Sequence, residues 1–174
     1  MHIEFTQADD SHIESLVHLI NSAYRGEGSK QGWTTEAELL DGQRTDPEAI
    51  KKILHGEDSI VLIAEDDDSG QLLGCVHLER QGLKCYLGML TVAPNLQDKG
   101  IGKMLLIESE ALAHFWDCQS IIMTVISVRE ELISWYQRQG FKLTGEKKPF
   151  PYGDERFGIP KSTHLEFAVL EKKI

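Results

Sequence analysis

The clearest chemical potential lies around Gly100 and Gly102, in Leu90-Thr91-Val92-Ala93-Pro94-Asn95-Leu96-Gln97-Asp98-Lys99-Gly100-Ile101-Gly102-Lys103-Met104-Leu105. The stretch reads as a strand, a turn, a glycine-rich loop and the start of a helix. Several backbone N–H groups at a helix start have no intrahelical partner and carry the positive end of the helix dipole, so they can hold a pyrophosphate. Gly100 and Gly102 leave room for phosphates to approach, and Gln97, Lys99 and Lys103 could add side-chain donors. Two other phosphate loops are excluded. The pattern GxxxxGK[ST] is absent, and GxGxxG fails because its third glycine would fall at Leu105.

A second candidate is Tyr136, in Trp135-Tyr136-Gln137-Arg138-Gln139-Gly140-Phe141. Leu132, Ile133 and Tyr136 share one helical face, which by periodicity alone reads as a packed core tyrosine. Cys75, His77 and Glu79 alternate onto one face of a strand. His77 or Glu79 could act on a substrate through water, or that face is simply packed or solvated. No HExxH or other metal-ligand spacing is present, so no metal is expected, and no G-x-S-x-G elbow appears. Cys75, Cys85 and Cys118 are scattered and form no CxxC pair. They are expected to be reduced, buried thiols without a covalent catalytic part.

These residues need elements to position them. Residues 1 to 6 read as a strand. Ile13, Leu16, Val17, Ile20 and Tyr24 recur at helical spacing, with a capping box expected from Ser11 and Glu14. Thr35 with Glu38 offers a second capping box. Asp46-Pro47 predicts a short helix carrying Ile50, Ile53 and Leu54. Strands are predicted over 59–64, 71–79 and 85–92, the first two joined by a solvated acidic turn at 65–70. A helix follows over 100–116, with Ile101, Met104, Leu105, Leu112 and Phe115 on one face. Then come a continuously apolar strand over 121–126 and a helix over 130–139 stopped by Gly140. Strands over 141–143 and 164–170, with a long loop between them, close the sheet. Successive antiparallel strands followed by one β-α-β crossover predict an α/β layered domain, a mixed and mostly antiparallel sheet with helices on its faces.

The 174 residues fit one domain, 1–174. With 41% hydrophobic and 26% charged residues the composition is that of a globular protein. The amino terminus lacks the marks of a signal peptide, and no apolar run approaches a membrane span, so a cytoplasmic protein without membrane partners is expected. The net charge of −10 argues against nucleic acid as a partner and is compatible with cationic amines or with solubility alone.

The quoted motifs bear a family resemblance. Gln97-x-x-Gly100-x-Gly102 resembles the Q/R-x-x-G-x-G/A acetyl-CoA loop of the GNAT superfamily of N-acetyltransferases, and Leu90 to Pro94 resembles its preceding strand. Trp135 to Phe141 resembles its LYxxxGF element at the expected distance. The resemblance covers about residues 1 to 145 in order of elements. It implies a sheet whose middle strands splay apart to admit pantetheine, with acetyl-CoA as cosubstrate. Leu90 and Val92 would bond the pantetheine amides through their backbone, and an N–H near Leu90 would polarise the thioester. Tyr136 matches the tyrosine beside the sulfur and would protonate the leaving thiolate. Two departures stand out. Tyr86 occupies the position where many relatives carry a glutamate base. Arg129 stands where many have an asparagine that contacts the cofactor, so it either reaches a phosphate or substrate carboxylate or caps a strand end.

In such a family the acceptor site draws on early helices and a late hairpin, here Tyr24, Trp33, Glu36 and Arg44, then Tyr152, Asp154, Arg156 and Phe157, with Tyr86 beside them. The stretch from Tyr152 to Gly158 could equally be a surface turn or a contact in a homodimer. The leading function is acetyl transfer from acetyl-CoA to a primary amine of a small molecule. A protein or peptide acceptor and a catalytically silent acyl-CoA sensor are the alternatives.

Overall fold

The computed structural model describes residues 1–24, 40–41, 44–150, 159–161 and 165–174. The expected capping box at Thr35 and the acceptor residues Trp33, Glu36, Tyr152, Asp154, Arg156 and Phe157 lie outside the described residues. The elements run β1 (Ile3–Gln7), α1 (Ile13–Tyr24), β2 (Leu40–Asp41), α2 (Pro47–Leu54), β3 (Ser59–Asp66), β4 (Leu72–Gln81), β5 (Lys84–Val92), α3 (Ile101–Phe115), β6 (Ser120–Ile126), α4 (Glu130–Arg138), β7 (Lys142–Pro149), β8 (Ile159–Pro160) and β9 (Glu166–Lys173). Seven strands form one sheet in the order β1-β3-β4-β5-β6-β9-β7, and β2 pairs with β8 as a separate ribbon.

The sheet is mixed and mostly antiparallel, as the element order predicts. Its one parallel pair is β5 with β6, joined through α3. That pairing spans only Lys84 to Tyr86 against Ser120 to Ile122. Beyond it the strands part, while β6 stays paired with β9 as far as Ile126. The result is the expected splay in the middle of the sheet.

Strand alternation gives the sheet two apolar faces. Val61, Ile63 and Cys75 pack with Leu16, Leu19, Ile20 and Ala23 of α1 and Ile50 of α2. The opposite face places Ala64, Val76, Leu78 and Leu87 against Ile101 and Leu105 of α3 and Leu132 and Tyr136 of α4. Helices therefore cover both faces. Burying one such Leu or Ile side chain is worth roughly 1.5–3 kcal/mol, so these layers hold the fork open rigidly.

Three local expectations need correction. The first helical turn is capped by Asp9, not Ser11. The Asp9 carboxylate accepts from Ser11 N–H at 2.9 Å, and Asp9 N–H donates to His12 Nδ1 at 3.0 Å. An extra 3-10 turn at Asp10–His12 moves the cap upstream. Phe115 is 81% exposed, because α3 ends there and Trp116 at its C-cap packs on the core instead. The strand expected over 141–143 runs as β7 to Pro149, exposed throughout. The strand order places β9 between β6 and β7, so the last two long strands are reversed in space relative to sequence. Asp46 caps α2 as expected, accepting from Ala49 N–H at 2.7 Å.

Candidate functional site

The fork is sharpened by a break in β5. Between the pairs Cys75↔Thr91 and His77↔Gly88, β4 advances two residues and β5 three. The extra residue forms a β-bulge at Met89 and Leu90, and Met89 takes φ +51°. Side chains hold the bulge in place. The Thr91 hydroxyl donates to the Met89 carbonyl at 2.8 Å, and the buried Tyr24 hydroxyl donates to the Leu90 carbonyl.

Past β5 the chain makes a 3-10 turn at Pro94–Leu96 and then a loop. Gly100 is the N-cap of α3 at φ +83°, a left-handed conformation that costs an L side chain about 1–2 kcal/mol. No side chain caps this helix end, and its first bond is Met104 N–H to the Gly100 carbonyl at 3.0 Å. The opening N–H groups of α3 therefore face an open cavity of about 250 Å³. Leu90, Val92, Gln97, Gly100, Gly102 and Lys103, all candidates from the sequence, line it. Gln97, however, donates its side-chain amide to the Val92 carbonyl at 3.1 Å, which ties the loop to the strand. Lys99 is exposed and is not part of the wall. Leu96, Asp98, Ile101, Trp135 and Gln139 also line it and were not foreseen as site residues. Trp135 could have been, since it adjoins Tyr136 in the same quoted element. A Cβ at Gly102 would meet Trp135 at 3.5 Å, an ordinary contact.

A second cavity, of about 360 Å³, opens on the other side of the fork. Tyr24, Leu90, Leu132 and Tyr136 belong to the walls of both. Tyr136 packs edge-on against Trp135 at 5.1 Å and Phe141 at 5.8 Å. Tyr136 thus packs in the core and also borders both cavities. Burial raises the Tyr136 pKa far above the ordinary phenol value, the Tyr24 ring adds to this, and Arg129 opposes it. Its hydroxyl is a neutral donor at any working pH.

The larger cavity is lined by side chains from separate elements. Tyr86 lies here. Gly88 makes room for it, since a Cβ there would come within 2.9 Å of the Tyr86 ring. His77 meets Tyr86 edge-on at 6.0 Å and shares a hydrogen bond with Ser59 Oγ at 2.8 Å through Nε2. Burial lowers the His77 pKa to about 4, so it stands neutral in the wall. Glu79 pairs opposite Tyr86 but is not in the lining. Arg129, whose backbone starts α4, belongs to this cavity and not to that of the glycine loop. Arg44 lies with its guanidinium 5.6 Å from the Tyr24 ring. Phe150 and Phe167, 5.6 Å apart, come from β7's end and β9 and carried no signal in the sequence. Burial pushes the Cys75 and Cys85 thiols up to about 12 and raises Cys118 as well, so none is a thiolate near neutrality.

A family model described as "Acetyltransferase (GNAT) domain" matches residues 57–143, half of the chain, from β3 into β7 and across the fork. The chain belongs to the GNAT acetyltransferase family. Its sequence is 28% identical over 76 residues to the protein YdhI of Bacillus subtilis (strain 168), 44% of this chain and 46% of that one. The match thus spans a little under half the length of that curated relative. The fold is similar to that of the PaiA N-acetyltransferase of Thermoplasma acidophilum solved in complex with coenzyme A, at a TM-score of 0.68 and 20% identity, covering 100% of each chain. It is also similar to the ribosomal-protein-alanine N-acetyltransferase of Brucella melitensis, at a TM-score of 0.72 and 20% identity, covering 98% of this chain and 99% of that one.

Proposed function

We propose that this chain, acting as one domain over residues 1–174, transfers an acetyl group from acetyl-CoA to a primary amine of a small molecule by direct attack. The observation that carries the reading is the pair of abutting cavities with Tyr24, Leu90, Leu132 and Tyr136 in common. One has the uncapped helix start of a phosphate site; the other has aromatic and arginine side chains. Two substrates bound in these cavities would meet at the shared wall.

In this reading the pyrophosphate sits on the opening N–H groups of α3, with Lys103 adding charge. Pantetheine runs along β5 at Val92 and Leu90, where the bulge frees backbone groups from the ladder. The amine attacks the thioester carbonyl, and a backbone N–H near Leu90 stabilises the oxyanion. The carbon–sulfur bond breaks, Tyr136 donates its proton to the departing thiolate, and the proton shed by the acylated nitrogen passes to solvent and restores the Tyr136 phenol. No acyl-enzyme is needed, in keeping with three buried, protonated thiols. Gln97 shapes the loop rather than binding phosphate. Arg129 serves the acceptor side.

The test is acetyl-CoA consumption across a panel of amines, with calorimetry for acetyl-CoA binding. Amine-dependent release of CoA, weakened in Tyr136→Phe, supports transfer. Tight acetyl-CoA binding with no turnover on any small amine overturns it in favour of a protein acceptor or a sensor.

A further inference from the structure

A third cavity, of about 260 Å³, lies outside the fork and adjoins the glycine-loop cavity. Lys103 and Gln139 line both. The fold brings three cations to its wall from three elements: Lys103 in the first turn of α3, Arg138 in the last turn of α4, and Lys172 of β9. Lys172 owes its place to the pairing of β9 with β6, where it stands opposite Ile121. Its stem lies against Gly140, at which a Cβ would come within 3.0 Å of the Lys172 Cε. The Lys172 ammonium donates to Glu110 Oε2 at 2.9 Å, so it is held and not free to wander. Lys103 and Arg138 are exposed and form no ion pair with another described residue.

We propose that this groove takes the ribose 3′-phosphate of the acyl-CoA, held by Arg138 and Lys172, with Lys103 between the two phosphate sites, and that it makes the protein select CoA over a cofactor lacking that group. The inference rests on the acetyl-CoA reading of the glycine-loop cavity. A chain of net charge −10 repels a polyanion, so local cations must offset the phosphates. The glycine-loop cavity offers the pyrophosphate backbone N–H groups, but its charged lining is one lysine, Lys103, beside one aspartate, Asp98. In the groove, three cations against the carboxylate of Glu110 leave the described lining with two positive charges in excess. A phosphomonoester, with its second pKa near about 6, is close to a dianion at pH 7 and matches that excess. The ribose 3′-oxygen is only a few bonds from the pyrophosphate, so its phosphate must lie beside the pyrophosphate site, as this groove does. Arg138 offers paired, in-plane N–H donors to phosphate oxygens, and Lys172 a point charge already positioned by Glu110.

The experiment compares CoA with 3′-dephospho-CoA, which keeps the pyrophosphate and pantetheine and lacks only the group in question. Both are titrated by calorimetry in low-salt buffer into the wild type, Arg138→Gln, Lys172→Gln, the double variant and Arg138→Lys. We expect the wild type to bind CoA about tenfold more tightly than dephospho-CoA, as a few partly exposed charge pairs supply together. Each Gln substitution should cut that ratio about threefold, the double variant should bring it towards one, and Arg138→Lys should keep part of it. Affinity for dephospho-CoA should stay the same in every variant, which a merely structural loss would not leave intact. Equal binding of the two ligands by the wild type overturns the proposal and leaves the acetyl-CoA reading standing. A ratio that survives in the double variant also overturns it, as does an equal loss of affinity for both ligands. If neither ligand binds the wild type, the groove and the cofactor reading fall together.

Discussion

The two cavities of the fork are made of different materials. The smaller one is largely backbone: an uncapped helix start, a glycine at φ +83° and the exposed edge of a bulged strand, supplied mostly by one run of chain from Leu90 to Lys103. The larger one is made of side chains drawn from α1, α2, β4, β5, β6, α4 and β9, with Arg44 and Phe150 from the connecting segments. Backbone N–H groups cannot be changed by substitution without changing the fold, whereas side chains can. One mouth is therefore suited to an invariant ligand with a pyrophosphate, the other to a ligand that can differ from one protein to the next. The wall they share, at Tyr24, Leu90, Leu132 and Tyr136, belongs to neither material alone.

The sharpest way to break this contrast is at Gly102. The Cβ of an alanine there fits at ordinary contact distance from Trp135 and Val92. The branched carbons of a valine must project into the phosphate space or displace the Trp135 ring. Gly102→Val is expected to weaken acetyl-CoA on the order of 10³-fold, about 4 kcal/mol, while Gly102→Ala costs less than about tenfold. Calorimetry on folded proteins checks this. Equal affinities for the two variants would mean that the loop does not hold the phosphates.

Tyr136→Phe tests the shared wall for chemistry. The thiolate it would protonate has a pKa near about 8.5, so the proton helps modestly near neutrality. We expect kcat to fall on the order of 10²-fold with acetyl-CoA affinity nearly unchanged. Full kcat in the variant makes Tyr136 a packing residue only.

Tyr24→Phe tests the same wall for positioning. The substitution leaves the Leu90 carbonyl without its phenol donor, a loss of about 1–3 kcal/mol at a buried acceptor. Because the bulge borders both cavities, KM for acetyl-CoA and for the amine should rise together, by about three- to tenfold. If only one KM moves, the wall is not common to the two substrates.

The contrast also explains what could be read from sequence. A site made of contiguous backbone leaves a signature of glycines and a helix start, so Gly100, Gly102, Val92 and Lys103 were visible. The element order up to α4 followed from strand and helix periodicity, and the splay from the family resemblance. The partners of the larger cavity did not, because Phe150 and Phe167 meet only once β9 has inserted between β6 and β7. Nothing local in either strand encodes that exchange. The β2–β8 ribbon is two residues on each side, too short for any period to register. The bulge escaped notice because Met89 is not a residue type that announces a positive φ. Gln97 was visible but its role was not, since an amide near a phosphate loop can as easily donate to the neighbouring strand.

The smallest effect should come from pH, and it should touch one cavity only. His77 is neutral in the fold because burial lowers its pKa to about 4, against 6.5 in the unfolded chain. Above about pH 7.5 the imidazole is neutral in both states and contributes no pH dependence. As the pH falls through 6.5, the unfolded chain takes up a proton that the folded chain does not. Stability is therefore lost on acidification, and the loss grows until about pH 4, where the folded side chain protonates too. At pH 5.5 it amounts to about 1 kcal/mol. The carboxylates held below their ordinary values, Asp9 by Ser11 and Glu171 by Ser120 and Lys84, lose their contribution only at still lower pH, so they leave this window clear. Urea unfolding of the wild type and His77→Gln at pH 7.5 and 5.5 isolates the effect, since glutamine can still bond Ser59 but cannot titrate. The wild type should lose about 1 kcal/mol more than the variant, while acetyl-CoA affinity of the wild type changes little across the same interval. An equal loss in both proteins would mean that His77 is open to solvent and that the larger cavity lacks a dry wall at this point.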